Sequence, residues 1–416
     1  MMTTPARLFI CTLLSWSLLG LPAFPSIAAI ETARLQPTPA QVGAEYGYAL
    51  AAEHPVWVVG APGAAADAGE VHVLDCSQLA CETTQTLTGA LDTGFGRSLA
   101  LKGDWLAVGQ PDAQRVRLYR RQSSAWQLHS TLQPAVSLPN GAFGKALAFD
   151  GNSLAIGAPN EQGGAGAVYL FTETAEVWSQ QVRLGAPSTL RHLGHSIAMN
   201  GGTLAIGAPF SALSPAYAEG RVWVLTGAEG TWTEVATLSS PLPVSAELFG
   251  YALALQGDRL VVGRPGASQG TANQGLVDVF ERDPGGLWSH SASIGAPAPM
   301  VNQRLGWSVA LEGDAVLLGT PFALANQAFQ CGQSNRFIKQ GGAWLATDDA
   351  EHDRLPGSLA GFAVAMSAQR WMSGAPTFAE TAGSGAGVAY WFDTVQGLFG
   401  HGFGLADISC LPEANL

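Results

Sequence analysis

Lysine is nearly missing from this chain. Of its 416 residues only Lys102, Lys145 and Lys339 carry an ammonium, and charged residues of both signs make up 12% of the sequence. Twenty basic against 32 acidic residues leave a formal net charge of -12, which argues against nucleic acid or an anionic lipid surface as the main partner. Long apolar runs are missing too, with one exception at the start. There a single basic residue, Arg7, precedes an apolar run from Leu8 to Leu21 and a small-residue exit at Ser26, Ile27, Ala28 and Ala29. That order reads as a secretory signal peptide over residues 1–29, cleaved near Ala28 or Ala29, because the run is short for a membrane span. With no second run of spanning length, the mature chain is expected to be secreted, periplasmic or displayed at a cell surface, without a membrane span. Cysteine is scarce as well. Removing the signal leaves Cys76, Cys81, Cys331 and Cys410, an even number for which an oxidising compartment permits disulfides. Helical periodicity is absent, so strands must build the fold.

What is present is repetition. Seven glycines, Gly47, Gly96, Gly144, Gly194, Gly250, Gly306 and Gly361, are each followed thirteen residues later by another: Gly60, Gly109, Gly157, Gly207, Gly263, Gly319 and Gly374. A proline closes every copy two residues on, at Pro62, Pro111, Pro159, Pro209, Pro265, Pro321 and Pro376. Repeats of about fifty residues fit propeller blades or solenoid units. After each first glycine the residues alternate between a large set (Leu50, Leu147, Val309) and a set limited to Ala or Ser (Ala49, Ser98, Ala146, Ser196, Ala252, Ser308, Ala363), as a strand with two unlike faces requires. A face that small suits the innermost strand of a blade, where sheets converge on the axis. Tight turns of the form x-Gly-polar follow, as in Lys102-Gly103-Asp104 and Gln256-Gly257-Asp258, then a second strand, a variable loop, a third strand and a fourth that usually opens with Trp. The expected fold is therefore all-β, a seven-bladed β-propeller of four-stranded antiparallel blades. Its repeats start near residues 46, 95, 143, 193, 249, 305 and 360, the propeller occupies 30–405, and 406–416 form a tail.

Phe143-Gly144 with Gly157-Ala158-Pro159, and Leu193-Gly194 with Gly207-Ala208-Pro209, resemble the FG-GAP repeat family, which includes the headpiece of integrin α subunits and many exported bacterial proteins. The resemblance covers essentially the whole mature chain. Gln110, Arg264 and Thr320 depart from it by replacing the middle alanine. Many FG-GAP repeats carry a calcium loop between their first two strands, and a contiguous oxygen-ligand loop takes about nine to twelve residues with several carboxylates. Here Asp104, Asp258 and Asp314 each stand alone past a turn glycine, so the resemblance implies lost calcium sites, and no metal or cofactor is expected. Closing the ring requires a strand for the last blade. Residues 30–37 resemble a displaced fourth strand, ending in Leu35-Gln36-Pro37 just as the second repeat ends in Leu132-Gln133-Pro134; residues 398–405 compete for that slot.

Catalytic motifs are sparse. Ser98, Ser196 and Ser308 alternate with Ala and lack a nucleophile elbow, the glycine-rich segments lack a P-loop Lys, and His192-x-x-His195 has no third ligand nearby in sequence. Loop length is more informative. Connections between strands two and three, and from strand four to the next blade, are long and share one face, which carries 210–220, 266–275, 322–331 and 377–385 with 189–193 and 242–248. Binding residues belong on such loops. The candidates are Arg264, Tyr217, Arg191, His192 and Phe322, of which Arg264 stands out because it fills a corner normally held by Ala; replacing it by Ala is expected to restore the pattern at no cost in stability. The leading reading is a non-enzymatic binding or adhesion module for a protein or glycan, with an extracellular hydrolase or lyase and a structural surface component as alternatives. The expected disulfides are Cys76–Cys81, across the short connection of the first blade, and Cys331–Cys410, tying the sixth blade to the last.

Overall fold

Each blade begins where a glycine lets the backbone turn in a way that side chains resist. All seven first glycines have φ between +83° and +95°, the left-handed half of backbone space, and there a surface loop becomes the innermost strand. The computed structural model describes residues 31–393, apart from 38, 79, 137–139, 212–217, 229, 326–328, 350–356 and 380–384. Seven four-stranded antiparallel sheets fill that span, so the protein is an all-β seven-bladed propeller. The fourth blade is representative, with strands Ser196–Asn200, Thr203–Ala208, Arg221–Ala228 and Thr231–Leu238 paired in sequence order. Its second strand is buried at every position, whereas its fourth faces solvent along the rim. Apolar side chains of neighbouring blades meet between the sheets, as Leu118 and Leu132 of blade 2 do with Leu154, Ile156 and Phe171 of blade 3. Each such burial stabilises the fold by about 1.5–3 kcal/mol, so the sheet-to-sheet interfaces carry the ring.

The second glycine has a different reason from the first. A Cβ placed on it would collide with the carbonyl oxygen of the first glycine in the following blade, and this holds at all seven positions, with Gly374 of the last blade meeting Gly47 of the first. The two glycines therefore form one contact repeated around the axis. The choice of Ala or Ser two residues after the first glycine has a related cause. Ser98, Ser196 and Ser308 donate their hydroxyls to the carbonyls of Gly144, Gly250 and Gly361 at 2.5, 2.7 and 2.8 Å, bonding each blade to the next where no larger side chain fits.

Residues Glu31–Leu35 close the ring. They pair antiparallel with Val388–Asp393, Arg34 opposite Tyr390 and Leu35 opposite Ala389, and supply the fourth strand of blade 7. The N-terminal segment thus takes the slot for which 398–405 competed; those residues, the signal segment 1–29 and the tail 406–416 lie outside the described residues. Cys76 and Cys81 are joined, their Cα atoms 4.2 Å apart, as expected. The expected Cys331–Cys410 pairing involves Cys410, outside the described residues.

A second set of contacts binds the blades on the short-turn face. The residue ahead of each turn accepts a backbone N–H from the turn of the next blade: Glu53 from Gly103, Asp150 from Gly202, Asn200 from Gly257 and Gln256 from Gly313, at 2.5 to 2.8 Å. Glu312 accepts two, from Ala368 and Gln369, and Ser367 accepts from His54 across the closure. Lys102 holds the seventh position and cannot accept; its ammonium pairs instead with Glu53 at 3.0 Å. The turn aspartates are also engaged, Asp104 with Arg121, Asp258 with Arg282 and Asp314 with Arg259.

Candidate binding site

The residue after each first glycine leaves the backbone at the head of an innermost strand, on the long-loop face. The seven are Tyr48, Arg97, Lys145, His195, Tyr251, Trp307 and Phe362. Because they occupy one position in successive blades, they meet in a collar around the axis. Tyr48 packs on Phe362 across the closure with ring centroids 5.0 Å apart, Phe362 on Trp307 at 5.9 Å, Trp307 on Tyr251 at 4.6 Å and Tyr251 on His195 at 4.7 Å. Five consecutive blades thus present an unbroken arc of tilted rings, and Lys145 and Arg97 complete the circle. All of the collar is half-buried except Arg97, which is exposed. A second tier rises on the arc: Phe322 packs edge-on against Trp307 at 5.1 Å, and Phe210 against His192 at 4.9 Å and His195 at 5.9 Å.

Burial sets the protonation of this collar. It pushes the Tyr48 and Tyr251 hydroxyls up, so both rings remain neutral hydrogen-bonding groups. It pulls His195 down to about 4, with the Lys145 ammonium adding to the effect; an uncharged imidazole continues the aromatic arc. Lys145 is pulled down as well, first by desolvation and then by the neighbouring Arg97.

Beside the collar, between blades 1 and 2, lies a polar cavity of about 290 Å³ lined by Glu45, Asp67, Asp92, Asp112 and Arg97. Arg97 reaches Asp112 at 3.1 Å. Burial raises Glu45 above the usual carboxylate range, Arg97 opposing it. Among the described residues no group of three or more His, Cys, Asp or Glu is placed to hold a metal ion.

Of the residues singled out from sequence, Phe322 and His192 belong to the second tier, and Arg191 is exposed on the adjoining loop. Tyr217 lies outside the described residues. Arg264 is placed differently from expectation. Its guanidinium is buried, 2.9 Å from Glu247 and 2.8 Å from Asp278, with Ser240 accepting a further bond at 3.1 Å. The corner tolerates Arg because two carboxylates and a hydroxyl await it, and it offers no donor to a partner. The collar itself, above all Trp307 and Tyr251, was missed as a site. The signal lay in the repeat: the position after the first glycine holds a large side chain in every copy, and the ring turns that column into convergence.

No family model matches the chain, and no curated protein matches it by sequence. Among solved structures it is similar to a Bacteroides uniformis protein named as a candidate 6-phosphogluconolactonase, at 11% identity and a TM-score of 0.53 over 72% of this chain and 84% of that one. At that identity the likeness extends to the propeller fold alone.

Proposed function

We propose that this protein is an exported binding propeller of the FG-GAP type, without catalytic activity, that recognises a protein or a glycan through the axial collar of its long-loop face. The observation that carries the reading is the arc of aromatic rings from Tyr48 through Phe362, Trp307 and Tyr251 to His195. Large rigid rings bring contact area at low entropic cost, and half-buried aromatics next to Arg are typical binding anchors. Export is supported by the apolar N-terminal run and the Cys76–Cys81 bond. A calcium-independent fold is part of the proposal, since the turn aspartates are engaged by arginines. The test is a glycan and protein array probed with the mature protein and with a Trp307→Ala/Tyr251→Ala variant. Hits that vanish in a variant still melting cooperatively support the collar; hits that persist overturn it.

A second reading, an extracellular hydrolase or lyase, is favoured by the convergence of Arg97 with four carboxylates on the cavity beside the axis, and the neighbour from Bacteroides uniformis bears a lactonase name. Turnover of lactone or glycoside substrates that is lost in Asp112→Asn and Glu45→Gln would decide for it.

A further inference from the structure

The collar is divided in chemistry. Between the two ends of its aromatic arc, His195 and Tyr48, stand its two cations, Arg97 and Lys145. Arg97 has a counter-charge in Asp112. Lys145 is half-buried, and among the described residues its ammonium has neither a hydrogen bond nor an ion pair. The ammonium is thus available to an incoming anion, and nothing in the fold requires Lys there, since the same position takes Tyr, His, Trp and Phe in other blades.

We infer that the collar binds a saccharide bearing a carboxylate, its charge taken by Lys145 with Arg97 and its sugar faces stacked on the arc centred on Trp307 and Tyr251. The inference rests on the reading of the long-loop face as a binding face and narrows its ligand. Two observations favour a sugar acid over an acidic peptide. The aromatic arc is continuous, and sugars present flat C–H faces to such surfaces. The adjoining cavity is walled by carboxylates, Glu45, Asp67, Asp92 and Asp112, which when ionised only accept hydrogen bonds. A sugar acid brings one carboxylate for the cations and several hydroxyl donors for those acceptors in a single residue. The net charge of -12 does not forbid this, because beyond about 8 Å charges are largely screened at physiological ionic strength.

Calorimetric titration of the mature protein with galacturonate and glucuronate trisaccharides, their methyl esters, maltotriose and an acidic peptide tests the inference. At least one acid should bind at least tenfold tighter than its own ester. That gap should close in Lys145→Met and remain in Lys145→Arg, while Trp307→Ala weakens acid and ester together; thermal melts verify that the variants are folded. Equal affinity for acid and ester, or a gap that survives Lys145→Met, overturns the inference and leaves the binding face standing if Trp307→Ala still abolishes binding. Preference for the peptide, dependent on Lys145, overturns the saccharide class. No binding of any probe overturns the inference, and array hits indifferent to Trp307→Ala would remove the binding-face reading as well.

Discussion

The two faces of this ring are held by different means. On the short-turn face, six of seven blades accept a backbone N–H from the next through a side chain just ahead of the turn, and that circle runs through the closure. On the long-loop face the corresponding circle is made of side-chain rings and two cations, and hydrogen bonds between equivalent residues give way to contacts between bulky groups. The first arrangement fixes blade spacing with side-chain oxygens that Glu, Gln, Asp, Asn and Ser supply in turn. The second leaves chemistry on display. A repeat can thus be uniform on one face and diversified on the other, because the glycine pair between them keeps the blades in register whatever the collar holds.

The sharpest way to break this division is at Arg264, which ties the 4-to-1 loop of the long-loop face to the sheet of blade 5. Arg264→Ala strands Glu247 and Asp278 in a buried site, and losing one partner of a buried ion pair costs about 3–5 kcal/mol. Denaturant unfolding should register that loss, against the neutral outcome that the repeat pattern alone implies. Acid provides the next largest effect. His195 has a folded pKa of about 4 against 6.5 unfolded, so between these values the unfolded chain binds more protons and stability falls as pH drops. The loss is at most about 3.4 kcal/mol, lessened because the ring is only half-buried. His195→Phe should lessen the fall of the melting temperature over that window, to which His72 and His192, also lowered by burial, still contribute, and an unchanged pH profile would remove His195 as a source.

Smaller effects belong to the short-turn circle. Glu312→Ala frees two turn N–H groups and should cost about 1–2 kcal/mol, with no change in ligand binding at the collar. Lys102→Asn should complete the circle by accepting from the next turn, raising stability by about 0.5 kcal/mol offset by the lost pair with Glu53. A loss greater than that of Lys102→Ala would show that Asn does not enter the circle.

What could be read from sequence followed distance along the chain. The glycine pairs, the small strand face and the tight turns are local patterns, and they led to the fold. Contacts made one blade apart were harder. The third recurrent glycine, at Gly69, Gly166, Gly220, Gly275, Gly332 and Gly387, heads six of the seven third strands with φ from +75° to +86° and sits where a Cβ would strike the residue before the next blade's first glycine; variable loops ahead of it hid the period. Gln114 takes that place in blade 2, in the same left-handed conformation. Arg264 was misjudged because its partners, Glu247 and Asp278, lie in two other segments. The collar was visible as a column of large residues, but only the closure of the ring makes a column a site.

That closure has a mechanical consequence. Glu31 lies opposite Phe392 and Leu35 opposite Ala389, so the start of the first strand and the end of the last lie at the same end of the sheet. Tension applied through them would open the pair like a zipper, loading one hydrogen bond at a time, whereas neighbouring blades, covalently continuous, would feel little of it. The seventh blade is therefore the part of the ring that yields to a pull, at forces far below those needed to shear the same strands past one another.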